Sequence, residues 1–300
     1  MAQVDTTVDT TKKDPTPCPT CGWSDLRRSR CSHISQVKLV NAVSNRAWWH
    51  IGSDMVLKED PYDKWKTSEV ANLKFIQEKT TIPVPTIVKD WVQSDNRHFL
   101  LIERMPGETL DTLYQKLSTA ELEAIADQVA ELIQQLRPLQ SPQIGGIGGT
   151  PLHNGWIFVN NMEPAGPFSS DEELWDCMKN GLAKVPAKAL ENLQKRMPAC
   201  KPYTWTHDDL SSSNIVVKDG KVTGILDWEF CGYYPVWWQY VSAGSGNPDE
   251  QRWLTIMRDK IKDKYPEATE FFRDLRSLTY YPDLTEQGKK TLEKLMATGE

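Results

Sequence analysis

Residues 214–227, NIVVKDGKVTGILD, place two apolar runs on either side of an Asp-Gly pair. This pattern is a strong signal for a β-hairpin with a two-residue turn. With the turn centred on Asp219 and Gly220, Asn214 faces Ile225, and Asp227 lies two residues further along the second strand. Because side chains alternate between the two faces of a strand, we expect Asn214 and Asp227 to project on the same side, roughly 7–8 Å apart.

Carboxylates crowd the chain around this hairpin, and Asp209 enters it five residues before Asn214. Like charges repel, so such a cluster usually requires a cation or a proton-transfer role. An amide oxygen and one or two carboxylates suit Mg²⁺, which keeps several waters and takes substrate phosphates as further ligands. In phosphoryl transfer one carboxylate positions the attacking hydroxyl while the metal neutralises phosphate charge. The spacing therefore predicts magnesium-dependent phosphoryl transfer at one end of the hairpin.

The overall composition is that of a globular protein. The chain has 300 residues, 39% of them hydrophobic and 25% charged, which allows two modest domains or one two-lobed domain. A net charge of -6 argues against a nucleic-acid partner and fits a cationic small substrate or simple solubility. No apolar run is long enough to cross a bilayer and no signal peptide stands out, so we expect a cytoplasmic protein with no membrane partner.

The N-terminal region differs from the rest of the chain. Residues 1–17 are poor in apolar side chains and predict a disordered tail. The arm at 18–34 carries a CxxC pair and a CxH pair, which supply four ligands for a tetrahedral zinc site: Cys18, Cys21, Cys31 and His33. Such a site has no open position and would be structural. The other interpretation is a flexible arm with reduced cysteines.

Residues 35–104 predict a small lobe with a sheet of about five strands and one helix. The strand segments are SQVKLVNAV, NRAWWHI, DMVLKE, TIVKDWVQ and RHFLLIERM. The helix segment, TSEVANLKFIQEKT, lies between the third and fourth strands, with Thr67 or Ser68 as its cap.

Residues 105–300 predict a larger, mainly helical lobe. Pro106 and Gly107 break the strand pattern at its start. In STAELEAIADQVAELIQQL, Ser118 and Glu121 form a capping box ahead of an apolar stripe. Residues 141–170 are rich in Gly, Pro and Asn and predict a long loop of the kind that is often functional. The expected fold class is α+β.

The spacing of His207, Asp209 and Asn214, followed by a hairpin and Asp227, resembles the core shared by protein kinases and aminoglycoside phosphotransferases. LDWE stands in place of Asp-Phe-Gly and no Ala-Pro-Glu follows, so the chain is more similar to the second family, particularly its fungal branch. IPVP, LLIERMPGETL and GPFSS extend the resemblance over roughly residues 36–260. The resemblance implies a bilobal protein-kinase-like fold with ATP between the lobes.

Roles for particular residues are implied by the same resemblance. They are the catalytic base Asp209, the Mg²⁺ ligands Asn214 and Asp227, the phosphate-contacting Lys58, its partner Glu69, and the adenine-binding stretch from Glu103 to Met105. Open alternatives are a solvated strand end for Lys58 and a plain helix N-terminal charge for Glu69.

Three positions qualify this assignment. His207 is interpreted as a packing residue rather than a base. Asp208 stands where the family usually has glycine, and a solvated loop residue is favoured over a third acidic group in the site. Residues 44–46, Ser-Asn-Arg, occupy the place of a glycine-rich phosphate loop.

The leading functional hypothesis is an ATP-dependent phosphotransferase that acts on a hydroxyl of a small molecule. An amine-bearing molecule is one option for this acceptor. The alternative is a nucleotide-sensing pseudokinase or scaffold that uses the arm at 18–34 for protein contacts. A protein kinase is disfavoured because no activation segment follows Asp227. The identity of the acceptor and the choice between ATP and GTP stay open.

Overall fold

A computed structural model of the chain describes residues 36–62, 69–159 and 163–297. The predicted tail, the zinc ligand set Cys18, Cys21, Cys31 and His33, and the helix caps Thr67 and Ser68 lie outside the described residues. The described chain divides into two compact units. The smaller takes in the residues up to Pro61 together with Lys89–Arg104, and the larger takes in Tyr62–Val88 and the chain from Met105 onwards.

The smaller unit is built on a five-stranded sheet with the strand order β1-β2-β3-β5-β4. The strands are β1 Val37–Val43, β2 Arg46–Ile51, β3 Met55–Pro61, β4 Ile87–Val92 and β5 Arg97–Glu103. They coincide closely with the five predicted segments, and the pairs β1–β2, β2–β3 and β3–β5 are antiparallel. Ser44 and Asn45 alone form the turn between β1 and β2, and Arg46 already belongs to β2, where its guanidinium bonds the carboxylate of Asp60.

Lys58 is not at a solvated strand end, which was the open alternative for this residue. It lies in the middle of β3, buried between its neighbours Trp48 and Leu100 on either side. The strand continues to Pro61 because β5 pairs with it over that whole length, up to Pro61 opposite Arg97.

The larger unit contains the helices of the described chain. They are α1 Glu69–Lys79, α2 Leu110–Leu113, α3 Thr119–Ile133, α4 Asp171–Asn180, α5 Ala187–Gln194, α6 Trp238–Ser242, α7 Gln251–Lys260, α8 Pro266–Ser277 and α9 Glu286–Ala297. The predicted capping box opens α3: the Ser118 hydroxyl accepts from the N–H of Glu121, whose carboxylate accepts from the N–H of Ser118 at 2.8 Å. Over the described residues no helix is both long enough and apolar enough to cross a membrane.

Two small sheets position the site in the larger unit. Their strands are β6 Glu108–Thr109, β7 Gln140–Ser141, β8 Tyr203–Thr206, β9 Ile215–Lys218, β10 Lys221–Ile225 and β11 Gly232–Tyr234, in the orders β10-β9-β6 and β11-β8-β7. Asp219 and Gly220 form the predicted two-residue turn between β9 and β10. The core below these sheets is strongly aromatic and includes the fully buried Trp237 and Phe271.

Candidate active site

The segment between β8 and β9 is anchored by His207, which is fully buried. Its ring meets the ring of Trp228 edge to face, with the centroids 4.5 Å apart. Nε2 donates to the carbonyl oxygen of Leu226 at 2.9 Å, and Nδ1 accepts the N–H of Asp209 at 3.3 Å. Burial lowers the pKa of His207 although Asp209 and Asp227 oppose the shift. A neutral ring with both nitrogens engaged agrees with the packing role favoured from the sequence.

Asp209 and Asn214 lie in direct contact. One carboxylate oxygen of Asp209 accepts the N–H of Ser211 at 3.1 Å, and the other accepts from Nδ2 of Asn214 at 3.0 Å. The same Nδ2 also donates to the carbonyl oxygen of Asp209 at 3.2 Å. The carboxylate is therefore held from two sides, and the amide oxygen of Asn214 is the atom left to bind a cation.

The predicted register of the hairpin is wrong beyond its tip. Lys221 lies opposite Lys218 as expected, but a bulge at Thr223 shifts the ladder so that Ile225 faces Ile215. Asn214 instead accepts the N–H of Leu226 at 2.8 Å. It ends a short 3₁₀ turn, Ser212–Asn214, rather than starting a strand.

Asp227 follows the end of β10 and opens a second 3₁₀ turn, Trp228–Phe230. Its backbone is left-handed, with φ 60°, a conformation that few residues other than glycine adopt and that Asp tolerates better than most. Asn214 and Asp227 are therefore linked through the Leu226 hydrogen bond and two turns, rather than through alternation along regular strands.

The buried thiol of Cys231 donates to the carbonyl oxygen of His207 at 3.2 Å. Burial is the main cause that raises the pKa of this thiol, and four carboxylates act in the same direction: Asp208, Asp227, Glu69 and Asp209. Four of the predicted site residues, Glu69, Asp209, Asn214 and Asp227, thus share one region of the larger unit. Lys58 and Glu103 belong to the smaller unit, where Glu103 is exposed, and their assigned roles stay predictions.

Asp208 is not the solvated loop residue that the sequence favoured. Its carboxylate accepts from Nδ2 of Asn154 at 2.7 Å and from Nε1 of Trp238. Burial raises its pKa to about 7, and the two hydrogen bonds only partly offset that effect. Its φ of 76° lies in the left-handed region. Glycine adopts left-handed conformations without strain, so the glycine that the family usually has at this position indicates the backbone conformation required there.

A pocket of about 580 Å³ opens beside Asp209 in the larger unit. Its described lining consists of Trp156, Asp208, Asp209, Ser211, Ser213, Phe230, Trp238, Ser242, Ser245, Gly246, Asn247 and Glu250. Trp156 comes from the predicted 141–170 loop, and sequence reasoning did not single it out. The unusual length of that loop was the available signal.

Metal-binding side chains of the described residues were expected around Asn214 and Asp227. No three His, Cys, Asp or Glu side chains there are arranged to bind a metal ion. The expected magnesium pair combines one amide with one carboxylate, so it stays a prediction.

A family model described as the phosphotransferase enzyme family matches residues 36–269. The chain belongs to this family. Membership confirms the family resemblance that the sequence motifs indicated.

Curated and solved relatives of this chain are distant. The clavilactone A biosynthesis cluster protein Y of the fungus Ampulloclitocybe clavipes is 26% identical over 229 residues, which cover 61% of this chain and 56% of that protein. The match therefore spans little more than half of that protein's length. It agrees with the fungal branch expected from the motifs.

Among solved structures, a thermostable mutant of aminoglycoside phosphotransferase APH(4)-Ia with ADP and hygromycin B has a TM-score of 0.56 at 15% identity, and covers 89% of this chain and 93% of that one. The streptomycin–ATP–APH(2″)-IIa ternary complex has a TM-score of 0.53 at 15% identity, and covers 91% and 95%. These similarities confirm the predicted α+β, protein-kinase-like fold.

Proposed function

We propose that this phosphotransferase moves the γ-phosphate of MgATP to a hydroxyl group of a small molecule in the cytoplasm. The observation that carries the proposal is the Asp209 carboxylate, which Ser211 and Asn214 hold in place where it lines a pocket of about 580 Å³. Pockets of this size suit small-molecule ligands. The complexes of the two solved relatives with ADP or ATP and an aminoglycoside support a nucleotide and a small acceptor here.

In this scheme Asp209 acts on the acceptor. Its carboxylate accepts the hydrogen bond of the acceptor hydroxyl, orients the oxygen for attack and takes the proton. The oxygen–phosphorus bond forms as the bond from the γ-phosphorus to the bridging oxygen breaks and ADP leaves. The bonds from Ser211 and Asn214 keep the carboxylate from turning away, which lowers the cost of reaching the reactive geometry.

Asn214 and Asp227 fit a magnesium ion, since an amide oxygen and a carboxylate are hard oxygen donors that leave room for waters and phosphates. The ion would neutralise charge on the transferring phosphate group. Lys58, Glu69 and the stretch from Glu103 to Met105 are proposed to bind the nucleotide, and the Cys18, Cys21, Cys31 and His33 set is proposed to hold a structural zinc.

The pseudokinase alternative is favoured by one observation, the two-residue turn of Ser44 and Asn45 in place of a glycine-rich loop. It predicts nucleotide binding with no phosphate transfer. The fixed geometry around Asp209 favours the enzyme, because a nucleotide sensor has no use for a restrained base.

The test combines calorimetry of ATP binding with an assay of ADP release over a panel of alcohols. For wild type we expect Mg²⁺-dependent ATP binding and acceptor-dependent ADP release. Asp227→Ala should weaken the Mg²⁺-dependent binding. Asp209→Asn should keep the binding but lose at least about 100-fold in turnover, the range of general base catalysis. Wild-type turnover in Asp209→Asn would overturn the proposal, and binding without any Asp209-dependent turnover would favour the sensor.

A further inference from the structure

The pocket beside Asp209 combines aromatic and acidic groups. Three aromatic side chains line it, Trp156, Phe230 and Trp238, and three carboxylates, Asp208, Asp209 and Glu250. The other described lining residues are serines, an asparagine and a glycine, with no lysine or arginine among them. Such a lining favours a neutral or cationic ligand with an apolar part over an anionic one.

The carboxylates of this lining are already engaged with the protein. Asp208 accepts from Asn154 and Trp238, and burial raises its pKa to about 7, which leaves it partly protonated near neutrality. Glu250 accepts the N–H of Ser212 at 3.0 Å. A ligand with several ammonium groups needs several available anions, since each desolvated charge must be paired. This pocket therefore fits one ammonium group at most.

Trp156 offers the exposed aromatic surface of the pocket. Trp156 is 52% exposed, whereas Trp238, which also lines the pocket, is only 2% exposed. Its position is set by Asn154, whose amide oxygen accepts the N–H of Trp156 at 3.0 Å while its Nδ2 bonds Asp208. Asp208 thus positions Trp156 through a single intermediate residue.

A cation already lies on the Trp156 ring. The guanidinium of Arg276, from α8, lies 4.9 Å from the ring centroid. A cation over an aromatic face interacts with the electron-rich quadrupole of the ring, and a second cation on the same ring would be repelled by the first. An uncharged ring packed against Trp156 has no such penalty, and aromatic pairs contribute beyond the area they bury.

We infer that the acceptor of this enzyme is a hydroxylated aromatic compound with at most one amino group, whose ring packs against Trp156. The inference rests on the proposed function and narrows its substrate class. It separates this chain from aminoglycosides such as hygromycin B, which the solved APH(4)-Ia complex contains.

The test uses four hydroxyl compounds that differ in ring and charge: tyrosol (neutral, aromatic), tyramine (one amine, aromatic), ethanolamine (one amine, no ring) and hygromycin B (several amines, no aromatic ring). Binding is measured by calorimetry and turnover by ADP release, on the full chain. We expect the two aromatic compounds to bind and react best. Trp156→Ala should weaken their binding about tenfold through loss of ring packing, whereas Trp156→Phe should restore most of it.

Arg276→Gln provides a second variant outside the lining of the pocket. Removing the guanidinium frees the Trp156 ring for a cation, so tyramine should gain affinity relative to tyrosol. An unchanged ratio of the two affinities, or tighter binding of hygromycin B than of either aromatic compound, would overturn the inference.

The two failures are distinguishable. Asp209-dependent ADP release with no loss of aromatic binding in Trp156→Ala overturns the inference and leaves the proposed function standing. Binding that depends on the Trp156 ring without Asp209-dependent ADP release overturns the proposed function, and with it the assignment of the bound compound as an acceptor.

Discussion

Two hairpins with two-residue turns lie in different surroundings. In the smaller unit, β1 and β2 meet at Ser44 and Asn45, and β1 exposes the three valines Val37, Val40 and Val43. In the larger unit, β9 and β10 meet at Asp219 and Gly220, and Ile215, Val216 and Val217 are buried. Both turns begin with a left-handed residue, Ser44 at φ 57° and Asp219 at φ 52°. Local sequence is therefore sufficient to form either hairpin, while tertiary packing determines whether the strand residues are exposed or buried.

Packing is also what changes the register of the β9–β10 hairpin. Thr223 leaves the regular ladder and its hydroxyl donates to the carbonyl oxygen of Pro106 at 2.6 Å. A Cβ on Gly224 would lie 2.8 Å from the side chain of Met105, so this glycine makes room for the chain from Met105 onwards. Contacts with Met105 and Pro106 therefore stabilise the hairpin. The sequence predicted only that this segment would break the strand pattern between the two lobes.

The largest effect that would sharpen this comparison is expected for Gly107→Ala. Gly107 has φ 127°, and a Cβ there would lie 2.4 Å from the carbonyl oxygen of Val217. Backbone strain and overpacking together should cost about 2–5 kcal/mol in the free energy of unfolding, measured by urea denaturation.

The matched control is Gly52→Ala in the turn between β2 and β3. Gly52 also has a positive φ of 65°, but a Cβ there would meet nothing within 4 Å. Only the backbone term should remain, about 1–2 kcal/mol. Equal losses in the two variants would show that the hairpin does not depend on its packing against the segment after Met105.

Elements whose signals are local could be predicted from the sequence. The strands of the five-stranded sheet follow alternation and turn residues, and α3 follows its capping box of Ser118 and Glu121. Asp209 and Asn214 could be placed together because only five residues separate them. The family resemblance supplied their chemical roles.

Features that depend on distant contacts could not be predicted. The bulge at Thr223 needs Pro106, and the half-buried, hydrogen-bonded state of the Asp208 carboxylate needs Asn154 and Trp238. Short segments such as β8 and α6 lacked a periodic pattern and were missed, because their burial comes from tertiary packing.

Asp208→Asn tests the segment between β8 and β9, and we expect it to have the next largest effect. The pKa of Asp208 in the folded protein is about 7, above the value of about 3.9 expected when unfolded. The folded state therefore binds the extra proton, and the contribution of Asp208 to stability is present below about pH 4 and is lost as the pH rises to about 7. The variant has no group that titrates at this position. The difference between its free energy of unfolding and that of wild type should therefore increase from about pH 4 to about pH 7, by at most about 1.4 kcal/mol per pH unit.

Urea denaturation of both proteins at several pH values gives this difference. The slope is the informative quantity, since the amide also removes one acceptor and shifts all values by a constant. Titration of the neighbouring His207 is common to both proteins and largely cancels. A difference that does not change with pH would mean that Asp208 is solvated, as the sequence alone favoured.

The smallest effect concerns the tip of the β9–β10 hairpin. Gln128 on α3 donates to the carbonyl oxygen of Gly220 at 3.0 Å and accepts the N–H of Val222 at 3.0 Å. Gln128→Ala should lose about 1 kcal/mol, the net value of such hydrogen bonds, and the exchange of the Val222 amide with solvent should speed up severalfold while amides of the five-stranded sheet keep their rates. Glu131→Ala, an exposed change on the same helix, should leave Val222 unaffected. Unchanged exchange at Val222 in Gln128→Ala would mean that the turn of Asp219 and Gly220 holds the tip by itself. The two hairpins would then be alike at their tips, and they would differ in the burial of their strands.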